Sequence, residues 1–171
     1  MARPRRCIEF ERGGWKYVLL DDYQHRRVPG FENRSGRVTR GEDNDVLIEM
    51  DNGQLTVRAG YAWNGASGPT VDTIDSMRAS LVHDSLYQFV RDALAPNDDD
   101  EWSRLRKAAD REFRLVLEED GMGRIRRSLW YRAVRWFGGS AIRSRTGTQI
   151  NTCEEHAESK LMGDQEPPSG L

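Results

Sequence analysis

The sequence predicts an α+β fold in which a small antiparallel sheet is followed by three helices. The evidence for it is a change of residue pattern along the 171-residue chain. Residues 8–60 carry short β-forming runs separated by turn residues, whereas residues 75–139 carry apolar residues at helical spacing. We expect one domain over residues 1–144, with a glycine-rich loop at 61–69 joining its two parts. The polar segment 145–171 is expected to be a disordered tail.

The sheet is predicted from four short runs of β-forming residues, at 15–20, 36–39, 46–50 and 54–57. Asp51-Asn52-Gly53 stands between the last two runs. An Asn-Gly pair adopts the positive φ angles of a tight turn, so an Asn-Gly flanked by apolar strands predicts a β-hairpin.

The first helix is predicted over about residues 76–93, because apolar positions between Leu81 and Val90 recur on one helix face. Its N-cap candidates are polar residues just before the apolar pattern: Asp72, Thr73 and Asp75.

Two further helices follow. The second is capped within residues 97–100 and runs to Asp120, where Gly121 is the expected stop. The third covers about residues 124–137 and is expected to end at Gly138-Gly139. The residues expected in the helical core are large and apolar: Met77, Leu81, Phe89, Leu105 and Phe113.

Composition excludes several classes of protein. The 26 basic residues against 28 acidic residues leave a net charge of −2, which fits neither a polycation nor an acidic disordered chain. Cys7 and Cys153 are too few for a disulfide scaffold or a cysteine-rich zinc site. Three histidines argue against an HD-type metal phosphohydrolase. No apolar run suits a signal peptide or a membrane span, so we expect a protein made in a cytoplasm.

Three residues of the helical part are candidates for catalysis. His83 and Tyr87 stand four residues apart and share one helix face, and an antiparallel second helix brings Asp110 back beside His83. A carboxylate bonded to one imidazole nitrogen leaves the other nitrogen to accept a proton from water. We therefore expect His83 to be a base, Asp110 to orient it and Tyr87 to support the pair.

A calcium site is the second candidate. Ca²⁺ takes six to eight oxygen ligands, including carboxylates and backbone carbonyls. Asp84 points away from His83 towards the glycine-rich loop, whose carbonyls at Trp63, Gly65 and Gly68 are suitable donors. Asp72 and Asp75 either cap the helix or offer the cation further ligands.

These residues resemble the pattern of the phospholipase A2 superfamily, including its capsid-borne viral members. Tyr61, Gly65 and Gly68 match the calcium loop, and His83-Asp84-x-x-Tyr87 matches the catalytic helix. The Asp on the second helix is matched by Ala109-Asp110-x-x-Phe113. The resemblance covers about residues 60–120 and implies a Ca²⁺-dependent ester hydrolase.

A longer stretch, about residues 10–139, resembles an uncharacterised family of phage and bacterial proteins of unknown function. The shared features are a small N-terminal sheet, Ala-Trp-Asn-Gly-x-Ser-Gly-Pro, His-Asp-x-Leu-Tyr and Ala-Asp-x-x-Phe. This resemblance implies a phage or prophage origin, and hence synthesis in a host cytoplasm, with incorporation in a virion as one destination. It implies no particular reaction.

Two functions from different classes follow. The leading one is a phage-encoded hydrolase resembling phospholipase A2, which acts on a phospholipid ester or on another bond of the cell envelope. The alternative is a non-enzymatic virion component that assembles with other virion proteins.

The third helix has a charge pattern of its own. Seven arginines and no acidic residue stand between Gly121 and Cys153. The basic segment 124–145 is thus expected to meet an anionic membrane surface, nucleic acid or an acidic protein, unless it is simply a solvated helix face.

Overall fold

A computed structural model of the chain describes residues 5–6, 17–40, 44–65 and 73–141. The fold is α+β, as predicted, with antiparallel sheets followed by three helices. The strands are β1 Arg5–Arg6, β2 Tyr17–Val18, β3 Tyr23–Arg27, β4 Gly36–Arg40, β5 Asp45–Asp51, β6 Gln54–Val57 and β7 Ala62–Trp63. The helices are α1 Ile74–Phe89, α2 Asp99–Glu119 and α3 Arg124–Ala141. Both cysteines, Gly68 and the tail 145–171 lie outside the described residues.

The strands form two antiparallel sheets. Strands β1, β2 and β7 make one sheet in that order, and the other has the order β3-β6-β5-β4. The predicted hairpin is present between β5 and β6, with Asp51 opposite Gln54. Its turn residues Asn52 and Gly53 have φ angles of 46° and 83°, the left-handed region that Asn and Gly tolerate best.

Two parts of the sheet prediction were wrong. Strand β3 was missed because Tyr-Gln-His-Arg-Arg is polar, yet Tyr23 and His25 alternate inward with the period of two that defines a strand. The glycine-rich loop 61–69 does not begin as a loop, because β7 occupies Ala62–Trp63 and pairs with β2.

The first two helices begin close to their predicted starts. Thr73 is the N-cap of α1, and its backbone N–H donates to Ser76 Oγ at 3.0 Å. After Phe89 the chain continues as one π-helical turn, Val90–Leu94. Asp98 caps α2 by accepting hydrogen bonds from two backbone N–H groups.

The third helix is longer than predicted. It passes through Gly138-Gly139 and ends at Ala141, so the expected stop at the two glycines was wrong. Glycine lowers helix stability by about 1 kcal/mol per residue, but it forms helical backbone without steric conflict. A glycine pair therefore allows a helix to end without forcing it to.

Helices α1 and α2 pack as the predicted antiparallel hairpin. Arg78, early in α1, pairs with Asp120 at the end of α2 at 2.8 Å, and Tyr87, late in α1, reaches Asp110. The predicted core positions Leu81, Phe89, Leu105 and Phe113 are buried, and Met77 packs against the main cluster. Helix α3 covers a second cluster through Trp130 and Val134.

Candidate active site

The site is built where α1 and α2 face each other. His83 and Tyr87 lie one helical turn apart on α1, with ring centroids 4.1 Å apart. Phe113 of α2 also packs against the imidazole, with 5.1 Å between the ring centroids. The imidazole thus contacts two aromatic rings and is only 9% exposed.

Asp110 meets His83 as the sequence predicted. His83 Nε2 lies 3.0 Å from Asp110 Oδ1, and the Tyr87 hydroxyl donates to the same oxygen at 2.6 Å. Since a carboxylate only accepts hydrogen bonds when ionised, Nε2 carries a proton, and in the neutral imidazole the second nitrogen, Nδ1, holds the lone pair. This is the tautomer that a water-activating histidine requires.

Two arginines that the sequence analysis did not assign to the site complete the surroundings of Asp110. Arg135 of α3 donates to Asp110 Oδ2 at 2.8 Å. Arg106, four residues before Asp110 on α2, places its buried Nε 3.9 Å from the same oxygen. The four-residue spacing of Arg106 was a visible signal. Arg135 gave none, because no local pattern tells which arginine of α3 turns inward.

The charges around the pair shift both pKa values. Burial lowers the pKa of His83, but the hydrogen bonds to Asp110 and Asp84 and the charges of these two carboxylates outweigh it, so the net shift is upward. Burial raises the pKa of Asp110, whereas the hydrogen bonds from His83, Tyr87 and Arg135 lower it, and the net shift is downward. The pKa of Asp110 thus lies below its usual value, which keeps this carboxylate ionised, and the pKa of His83 lies above its usual value.

Asp84 lies on the open side of the site. Its carboxylate Oδ1 is 3.5 Å from His83 Nδ1, and its side chain is 34% exposed. Burial and the charge of Asp84 both raise the pKa of Tyr61, which stands at the start of the glycine-rich loop. The negative charge of Asp84 therefore acts on Tyr61.

The loop residues predicted to donate carbonyl oxygens are described in part. Trp63 is fully buried, and its indole N–H donates to Ser80 Oγ at 3.1 Å, so this side chain anchors the loop on α1. Gly65 is buried with a φ of 75°. Gly68 lies outside the described residues.

The described residues offer a calcium ion few side-chain oxygens. Within residues 5–6, 17–40, 44–65 and 73–141, no group of three or more His, Cys, Asp or Glu side chains could hold a metal ion. Of the other acidic candidates, Asp75 pairs with Arg126 at 3.6 Å and Asp72 lies outside the described residues, which leaves Asp84 as the carboxylate candidate. The remaining ligands would be carbonyl oxygens of the loop, which suit a hard cation such as Ca²⁺.

A second buried histidine–carboxylate pair lies on the other side of α2. His25 of β3 places Nε2 2.8 Å from Glu112 Oε1, and its Nδ1 lies 3.0 Å from the Tyr23 hydroxyl. Arg26 pairs with the same Glu112 oxygen at 2.7 Å. The sequence predicted no role for these residues, although the alternation of β3 and the apolar stripe of α2 place both side chains on the inner side.

The fold and the site define an α+β protein in which a helical hairpin carries a buried His–Asp–Tyr cluster beside a sheet-anchored loop. The chain belongs to the family described as "Protein of unknown function (DUF1353)", whose model matches residues 43–134. The expected membership of an uncharacterised family is thereby confirmed, and the match spans His83, Asp84, Tyr87 and Asp110. Comparisons with curated proteins and with solved structures found no match.

The sequence predicted no membrane-spanning helix. In the part of the chain that the structure describes, no helix combines the length and the apolar character needed to cross a bilayer.

Proposed function

We propose that this chain hydrolyses ester bonds by a phospholipase A2-like mechanism in which His83 activates water. The supporting observation is the 3.0 Å contact between His83 Nε2 and Asp110 Oδ1, which leaves Nδ1 as the free base. Nδ1 faces Asp84, whose side chain is 34% exposed and so connects this side of the imidazole to solvent.

The proton transfers follow from this tautomer. His83 Nδ1 takes a proton from water as the water oxygen bonds to the ester carbonyl carbon. The bond between that carbon and the alcohol oxygen then breaks, and the imidazolium returns its proton to the leaving alkoxide. The products are a carboxylic acid and an alcohol, and His83 is neutral again.

Asp110 and its partners orient the base. An ionised Asp110 stabilises the imidazolium that forms during the reaction and fixes the ring through Nε2. Tyr87 and Arg135 hold the two carboxylate oxygens at 2.6 and 2.8 Å, so Asp110 cannot rotate away from His83. These three residues act through His83 and are positioning residues.

Asp84 and the carbonyls of Trp63, Gly65 and Gly68 are the proposed ligands of a calcium ion. When bound there, Ca²⁺ would supply the positive charge that stabilises the negative carbonyl oxygen of the transition state.

The test is release of fatty acid from phospholipid vesicles by the purified full chain in the presence of Ca²⁺. We expect His83→Asn to lower the rate by about 10²–10⁴-fold, the usual contribution of a general base, and a chelator to abolish the release. His25→Asn is the matched control, because it also changes a buried histidine paired with a carboxylate but lies outside the site. Equal losses in both variants would contradict the proposal.

A non-enzymatic role in a virion is the second candidate, and one observation favours it. Asp110 is fully buried, and side chains of α1, α2 and α3 converge on its carboxylate, as in a cluster that fixes helix packing. If the wild type releases no fatty acid and cleaves no other cell-envelope ester or amide, while His83→Asn impairs particle assembly, this candidate replaces the hydrolase.

A further inference from the structure

Helix α3 has a second apolar side that nothing in the described fold covers. Its inner side packs through Trp130, which is 7% exposed. On its outer side Ile125, Leu129 and Trp136 are 82%, 60% and 77% exposed. Spacings of four and seven residues place these three side chains on one face of the helix. Three large apolar side chains in one exposed stripe are typical of a contact surface.

The charge on this helix is entirely positive, and part of it is unpaired. Three arginines are bound within the protein: Arg126 to Asp75, Arg127 to Glu118 and Arg135 to Asp110. By contrast, Arg124 and Arg132 are exposed and form no ion pair with any residue that the structure describes. Arg132 lies within the apolar stripe, between Leu129 and Trp136.

We propose that the outer face of α3, formed by Ile125, Leu129, Arg132 and Trp136, binds an anionic membrane surface. A helix in this position buries its apolar side chains at the boundary between headgroups and acyl chains. Trp prefers that depth because its ring is amphipathic, and the long arginine side chain reaches back to lipid phosphates. The alternation of apolar and cationic residues along one stripe matches this layered environment.

The other partners of such a face fit less well. In a symmetric dimer the same face meets itself, which would bring Arg132 of each copy against a face that has no acidic residue. Nucleic acid satisfies the arginines but leaves Ile125 and Leu129 without an apolar environment. An anionic lipid surface satisfies both kinds of side chain.

This inference goes beyond the proposed hydrolysis and does not depend on it, because none of the contacts described above joins the outer face to His83 or Asp110. Its test is binding of the full chain to vesicles in the presence of a chelator, which removes any contribution from the calcium site. We expect binding to vesicles that contain phosphatidylglycerol, weaker binding to phosphatidylcholine alone, and a decrease as salt screens the charges. His83→Asn should bind like the wild type.

Matched variants locate the surface. Leu129→Asp should weaken binding about tenfold or more, because it removes an apolar anchor and adds a repelled charge. Leu20→Asp makes the same change at a leucine that is 51% exposed outside the helices, and it should bind normally. Arg132→Gln should weaken binding about fivefold, the effect of one cation near an anionic surface, whereas Arg27→Gln on β3 should not.

Several results would overturn the inference. Vesicle binding that is absent, or that Leu129→Asp and Arg132→Gln leave unchanged, would show that the outer face does not meet lipid. Self-association or nucleic-acid binding that is lost in Leu129→Asp, without vesicle binding by the wild type, would assign the face to those partners instead. Circular dichroism of each variant verifies that these exposed substitutions leave the fold intact.

Discussion

Replacing Asp110 by Asn removes the negative charge that His83, Tyr87 and Arg135 contact, while it keeps the size of the side chain. The carboxylate is fully buried and accepts hydrogen bonds from His83, Tyr87 and Arg135 at 3.0, 2.6 and 2.8 Å. An amide has one acceptor oxygen, so its NH₂ group must face either the arginine side or the His83–Tyr87 side. Donors then oppose donors, and at least one cation loses its buried counter-charge.

The size of the effect follows from these contacts. A hydrogen bond to a charged group contributes about 1.5–3 kcal/mol, and removal of one partner from a buried ion pair costs about 3–5 kcal/mol. We therefore expect Asp110→Asn to lower the free energy of unfolding by about 3–4 kcal/mol. No cavity contributes, because the two side chains are isosteric.

Urea unfolding followed by circular dichroism measures this difference. Asp92→Asn is the matched control, since Asp92 pairs with Arg91 at 2.7 Å at the surface and its loss should cost less than about 1 kcal/mol. If Asp110→Asn unfolds within about 1 kcal/mol of the wild type, the buried network does not hold the helices together and the reasoning above fails.

Two further predictions concern stability. Gly53 has a φ of +83°, and a Cβ there would lie 2.9 Å from the Phe31 carbonyl oxygen. We therefore expect Gly53→Ala to lower the free energy of unfolding by about 1–3 kcal/mol, measured by thermal or urea unfolding. Gly123→Ala is the control and should not lower it, because the space around Gly123 is open. The pKa of His83 is raised on folding, so its charge stabilises the fold fully below the unfolded value of 6.5 and loses this effect as pH rises through the folded pKa. The advantage of the wild type over His83→Gln in the free energy of unfolding should accordingly shrink with rising pH, and an advantage that grows would contradict the assigned direction.

The elements that the sequence predicted well are those with strong local signals. Helix α2 has clear apolar periodicity, α1 contains a long run of residues that are buried on nearly all sides, and the Asn52-Gly53 turn has few conformations open to it. The contact between His83 and Asp110 was predictable because an antiparallel helical hairpin leaves few registers for two residues at that spacing. Local physics and the helix connection were sufficient for these features.

The features that the sequence did not predict depend on tertiary contacts. Strand β3 exists because β6 pairs with it and because Glu112 receives the side chain of His25, and neither partner is near in sequence. Arg135 turns to Asp110 across 25 residues, while Arg132 on the same helix remains at the surface. The sequence has no signal that tells which of these arginines is at the surface, because that depends on how α3 packs on α2.

The pH dependence of fatty-acid release tests the central proposal most directly, because it asks whether neutral His83 is the base. The rate should rise with pH to a plateau, with a midpoint that equals the His83 pKa measured by NMR on the same protein at the same calcium concentration. The NMR signal is assigned by its loss in His83→Asn. A protein that shows no release at any pH, or a rate whose midpoint differs from the His83 pKa, would contradict the account.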